Sequence, residues 1–299
     1  MKLFPISISL LCVLAGVSST PGAAQTWDAA GRATSWAKQD KDDSFTFYDA
    51  PGRSLRTWAR DGGLMRSIPL AKFEGEPERW VVDPRNDAWV AQGTTLTLVD
   101  HNGRITTSVK LPAEVGDICW DAKGFVISYR TVEPYLEKRD FKGNEVLWSF
   151  GAKPPKREGP APVNRRPIVS DDSGRVLMAD GNSLNLSILD GATGRKVSET
   201  RLTAGGAPAP ALEGNAAERG PLVLWPGKGV ALAAVKASQV PATLRGTLQG
   251  LALARLDLTR SQLEFLPTGL DESHLLIGVL DSDAVFANPR GGLMLVRIP

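Results

Sequence analysis

From Leu96 to Pro112 the chain reads LTLVDHNGRITTSVKLP: apolar and polar residues alternate, break at Asn102-Gly103, alternate again and stop at proline. A period of two puts every second side chain on one face of an extended strand. Asn-Gly supplies the positive backbone angles that a tight antiparallel turn requires. The pattern predicts a β-hairpin. A hairpin alone is unstable in water, so other parts of the chain must pair with it.

Repetition supplies those neighbours. The stretch from Trp80, WVVDPRNDAWVAQGTTLTLVDHNGRITTSVKLP, reads as a short strand, a polar turn, two further strands, a glycine turn and a fourth strand. The same order starts at Trp36, Asp117, Pro167 and Leu222. Asp61-Gly62-Gly63, Asn102-Gly103, Lys142-Gly143-Asn144 and Thr193-Gly194 all fall between third and fourth strands. Repeated four-stranded units predict an all-β fold, the β-propeller, in which radial closure protects the sheet edges. A last unit opening at His274 holds three strands before Pro299. The expectation is six four-stranded blades, with Gln25–Gly31 (QTWDAAG) adding the missing strand to the last one. Five or seven blades are the alternatives, because SQVPATLRGTLQ stretches the fifth unit.

The segment VNRRPIVSDDSGRVLMADGNSLNLSILDGATGRKV, with its Asp171-Asp172-Ser173-Gly174 turn, Ala179-Asp180 and the Asp190 to Gly194 turn, resembles a unit of the six-bladed NHL-repeat and TolB-like propellers. ERWVVDPRNDAWVAQGTTLTLVDHNGRI is a looser match. The resemblance implies architecture and leaves function open. The DGATG turn is similar to those of PQQ-binding propellers, but it occurs once and without their repeated tryptophans, so no cofactor is expected.

Composition adds a location. MKLFPISISLLCVLAGVSSTPGAA carries one Lys, an apolar run from Ile6 to Val17 and a small-residue stretch, the layout of a cleavable signal peptide over residues 1–24. The run is too short for a stable membrane span. The expectation is a secreted or periplasmic protein whose propeller domain covers residues 25–299. Cys119 is then the single mature cysteine, buried and inert in an apolar strand. With 35 basic and 33 acidic residues the net charge is +2, and no run of one sign marks a nucleic-acid surface.

Candidate chemistry gathers where inner strands begin, since in a propeller these positions converge on the axis. They are Arg32, Glu78, Arg79, Asp117, Arg165, Arg166, Glu218, Arg219 and His274. One reading is a mixed-charge funnel whose arginines hold a carboxylate or phosphate. The other is that solvated polar residues simply start each strand. His101 lies in an outward hairpin turn, and no HxH, HExxH or paired-cysteine spacing marks zinc. Most tryptophans alternate within strands and read as packing between blades. Two functions stand: a monomeric, non-catalytic binding propeller for a protein segment or an anionic small molecule, or a metal-assisted hydrolase or lactonase of the gluconolactonase-like six-bladed type. The second would need oxygen ligands such as Glu78, Asn164 and Asp117.

Deleting Gln25–Gly31 is expected to bare the edge of the last blade, lowering the melting temperature or promoting association. A monomeric deletion product with an unchanged melting temperature would remove that seal from the fold.

Overall fold

A computed structural model describes residues 37–39, 44–83, 85–121, 123–154, 165–179, 182–214, 220–288 and 292–299. The signal segment, the sealing segment Gln25–Gly31, Arg32, Asn164, Glu218 and Arg219 lie outside the described residues.

The chain folds as a six-bladed β-propeller. Blade one holds β1 (Lys38–Gln39), β2 (Phe45–Asp49), β3 (Ser54–Trp58) and β4 (Leu64–Pro69). Blade two holds β5 (Arg79–Val82), β6 (Ala88–Gln92), β7 (Thr95–Val99) and β8 (Ile105–Lys110). Blade three holds β9 (Val115–Asp121), β10 (Gly124–Tyr129), β11 (Leu136–Arg139) and β12 (Val146–Phe150). Blade four holds β13 (Ile168–Ser170), β14 (Arg175–Ala179), β15 (Leu186–Asp190) and β16 (Lys196–Glu199). Ahead of blade five come β17 (Thr203–Ala204) and β18 (Ala207–Pro208). Blade five itself holds β19 (Leu222–Trp225), β20 (Val230–Lys236), β21 (Leu251–Asp257) and β22 (Gln262–Pro267). Blade six, among the described residues, holds β23 (Leu275–Leu280), β24 (Asp283–Ala287) and β25 (Leu293–Arg297).

Each blade is an antiparallel meander from the axis outward. Its first-to-second and third-to-fourth turns therefore share one face of the disc, the turn face, and inner strands start from the other. The opening hairpin is the outer half of blade two, with Leu96 opposite Val109 and Leu98 opposite Thr107. Gly62, Gly103, Gly143 and Gly194, in the third-to-fourth turns, all have positive φ.

Apolar faces of neighbouring blades meet in turn. Tyr48, Leu55 and Ile68 of blade one share a core with Trp89 and Leu96 of blade two and Phe125 and Ile127 of blade three. Leu136 and Trp148 pack on Ile168 and Val176. Leu177 and Leu186 pack with Ala231 and Ala252, and Leu232 and Leu253 with Leu276 and Phe286. Phe45, Phe47 and Trp58 of blade one meet Ile277, Val285 and Leu293 of blade six, which closes the ring. At that junction the Gln39 amide acts as a short piece of strand: Nε2 donates to the Val279 carbonyl at 2.9 Å and Oε1 accepts from the Val279 amide at 2.8 Å.

Indoles latch blades to the next blade's turn. Trp89 Nε1 donates to the Phe141 carbonyl at 3.0 Å, and Trp148 Nε1 to the Gly191 carbonyl at 2.9 Å. The rings lie on Gly143 and Gly194, where a Cβ would collide with them. Lys138, almost wholly buried, sits 2.5 Å from Asp121 and also donates to Gly191 at 2.6 Å.

Two loops are more ordered than their composition suggests. The Pro-rich connection after blade four contributes β17 and β18. β17 runs parallel to β22 with Thr203 beside Gln262, held by the Thr203 amide on the Ser261 carbonyl at 2.9 Å. Leu212 on the same connection is buried. The stretched part of blade five forms a 3-10 turn (Ala237–Gln239) and a short helix, α1 (Ala242–Arg245), over buried Val240.

Gly143→Ala is expected to cost about 3 kcal/mol or more in urea denaturation, combining the left-handed backbone with displacement of the Trp89 ring. Gly174 shares the positive φ but faces open space. There, Gly174→Ala should cost only roughly 1–2 kcal/mol.

Candidate functional site: the axial cavity and the charged strand starts

At the inner-strand starts, the structure brings four of the expected residues within electrostatic reach: Glu78, Arg79, Asp117 and Arg165, joined by Arg130. They are woven into the backbone. Arg79 is buried; its Nε donates to the Gly116 carbonyl at 3.0 Å and its Nη1 to the Glu78 carbonyl. Burial, with Arg165 close by, pulls the Arg79 guanidinium down to about 10. Asp117, also buried, accepts from the Ile118 amide at 2.8 Å and from the Ile168 amide at 2.9 Å, tying blade three to blade four. Arg166 is buried and its guanidinium donates to the carbonyls of Thr131 at 2.7 Å and Val132 at 2.5 Å. The Glu78 carboxylate accepts from the Gly93 amide at 3.2 Å. His274 stands apart on blade six, its Nδ1 3.1 Å from Asp271.

Deeper along the same strands the lining changes character. A cavity of about 410 Å³ lies on the axis, walled by Val81, Ile118, Val169, Leu222 and Ile277 among others. None of Glu78, Arg79, Asp117, Arg165, Arg166 and His274, the described residues among those expected, lines it. Its other lining residues, Asp171 to Ser173 with Arg175 on blade four and Pro226 and Gly227 on blade five, belong to the turn face. The cavity therefore reaches the face opposite the charged starts. Trp120 and Trp225, at the ends of β9 and β19, also line it and are only half-buried.

Sequence reasoning placed the tryptophans between blades. That holds for Trp89 and Trp148, and Trp120 and Trp225 also pack against cores shared with a neighbouring blade while lining the axial cavity. Trp120 rests on Phe141 with ring centroids 5.1 Å apart, and the Trp225 indole donates to the Asp281 carbonyl at 2.8 Å. Cys119 is buried, as expected, and belongs to the cavity wall. Asp171 accepts from the Arg175 amide at 2.8 Å, from Arg175 Nε at 2.7 Å and from the Ser173 hydroxyl at 2.8 Å. Burial pushes the Asp171 carboxyl up, but these donors hold it below the usual carboxylate range. The SDDSG turn was visible in the sequence as a turn. Nothing in its composition said that it faces the axis. Among the described residues no group of three or more His, Cys, Asp or Glu side chains is placed to hold a metal ion.

No family model matches the chain, and no curated protein matches it. Solved structures share its fold. A catalytically inactive histidine-to-alanine variant of virginiamycin B lyase from Staphylococcus aureus, solved with quinupristin, superposes with a TM-score of 0.55 at 12% identity, covering 88% of this chain and 80% of that one. A streptogramin B lyase gives a TM-score of 0.51 at 10% identity over 92% of this chain and 96% of that one. A chain of the mitotic checkpoint complex gives 0.56 at 10% identity over 100% and 99%. Likeness at this level defines the class, a β-propeller, by fold alone.

Asp117→Ala leaves two backbone amides without their acceptor and is expected to cost about 2–4 kcal/mol in urea denaturation. Asp117→Asn, which retains one acceptor oxygen, should cost about half as much.

Proposed function

We propose that this propeller is an exported binding protein that takes a small molecule in the axial cavity from the turn face. The observation that carries the reading is the cavity itself: about 410 Å³, walled mainly by apolar side chains, with a few polar groups at one end. Concave apolar sites of this size with sparse polar groups are the usual form of small-molecule pockets. The neighbouring lyase solved with quinupristin and the propeller chain of the checkpoint complex each engage another molecule, which is in keeping with a binding role.

The charged strand starts support an anion site less well. The guanidiniums of Arg79 and Arg166 already donate to carbonyls, so an anion would have to displace bonds that hold blades two to four together. The metal-assisted hydrolase is also less well supported. Asp117 directs both carboxylate oxygens at backbone amides, and Arg79 beside it would oppose a cation.

A thermal-shift screen of small amphipathic molecules tests the reading. A ligand at a hundred times its dissociation constant adds about 2.7 kcal/mol, an upward shift of roughly 5 °C for a domain of this size. Val169→Trp, which fills the cavity, and Leu258→Trp, at its turn-face end, should each abolish the shifts while keeping a cooperative melt. Ligands that stabilise both variants as much as the parent would move the site elsewhere.

A further inference from the structure

Resting on the axial cavity as the binding site, we infer that its ligand is a small organic cation: an ammonium group carried on an aromatic or aliphatic body. The juxtaposition that points there is an acidic turn between two indoles. Around the turn-face end, Trp120 comes from blade three, Asp171 and Asp172 from blade four and Trp225 from blade five.

Among the described residues, the charges that line the cavity do not cancel. Asp171, Asp172 and Arg175 are its ionised groups. Arg175 is taken by Asp171, with Nη2 2.7 Å from Oδ2. Asp172, exposed at the same turn, is left as one excess negative charge. Lys123 and Lys228, on the inner turns of the two flanking blades, are exposed and outside the lining.

The indoles favour the same ligand. An ammonium over an indole face is drawn by the negative face of the ring, and the attraction strengthens as water is excluded. Trp120 and Trp225 are half-buried, so each presents surface that a ligand can cover, while the deeper wall of Ile118, Val169, Leu222 and Ile277 suits only an apolar body. An anion entering here would meet Asp172 with no unpaired cation among the described lining residues to offset it.

Isothermal titration with phenyltrimethylammonium, benzyl alcohol and benzoate separates the possibilities, each run on the parent, Asp172→Asn, Trp120→Ala and Val169→Trp proteins. The cationic probe should bind at least tenfold more tightly than the neutral one, and benzoate should not bind. Asp172→Asn should weaken the cation three- to tenfold and leave benzyl alcohol unchanged. Trp120→Ala should weaken the cation more than the alcohol, and raising sodium chloride from 50 to 500 mM should weaken the cation alone. Benzoate binding as tightly as the cation, or an Asp172→Asn protein with undiminished cation affinity, would overturn the inference. Benzyl alcohol binding that Val169→Trp abolishes, without any preference for the cation, would overturn it while sustaining the cavity as a binding site. No binding by any probe would count against both.

Discussion

Blade six has to meet blade one with the same apolar fit that joins every other neighbouring pair, because an isolated four-stranded sheet leaves both faces wet. The ring meets this demand with side chains from opposite ends of the described chain: Phe45, Phe47 and Trp58 against Ile277, Val285 and Leu293. At the axis the Gln39 amide completes the contact by bonding Val279 as a strand would. Every other interface is bounded by this closure. If it fails, the apolar surfaces of both end blades face water, and the six inner strands lose the common axis that defines the cavity.

The closed ring carries buried charge at its margins and apolar surface along its middle, and the two regions do different work. Glu137 accepts from the Tyr129 hydroxyl at 2.8 Å and the Tyr135 hydroxyl at 2.9 Å, and lies 2.7 Å from Arg139 Nη2. Burial followed by the Glu137 charge pushes the Tyr129 hydroxyl well up, so it remains a donor. Lys138 with Asp121, and Asp117 with two backbone amides, are satisfied in the same complete way. Removing one partner from such an arrangement leaves a desolvated group behind and costs more than the bond itself contributes. Asp117 and Lys138 fix how blade three sits on blade four, while the Glu137 network holds the strands of blade three itself. The axial cavity, by contrast, has an apolar wall and polar groups on one side of its mouth.

The blades were legible because they rest on local signals. Strand alternation, glycines between third and fourth strands, and a first strand opening at Trp80, Pro167 or Leu222 are short-range facts about the chain. The site was only partly legible because its chemistry depends on partners far away in sequence. Arg166 reads as a free cation until Thr131 and Val132 are seen to accept its guanidinium. Trp120 and Trp89 look alike in their strands, yet one ends at the axis and the other lies under the next blade's glycine turn. Asp171 and Asp172 are adjacent carboxylates in one turn, and only Arg175 and Ser173 distinguish them.

The strand β17 gives blade five a standing unlike that of blades one to four. After leaving the outer edge of blade four, the chain runs to the outer edge of blade five, lies along β22, and only then returns inward to begin β19. Blade five is thus gripped at its outer edge by the connection that leads to its inner strand. The inner strand cannot be withdrawn from the axis without slack from a segment pinned at the rim, so rim and axis are mechanically coupled in this blade. The same clasp extends blade five by two short edge strands, which blades one to four lack among the described residues, and so marks that blade on the perimeter.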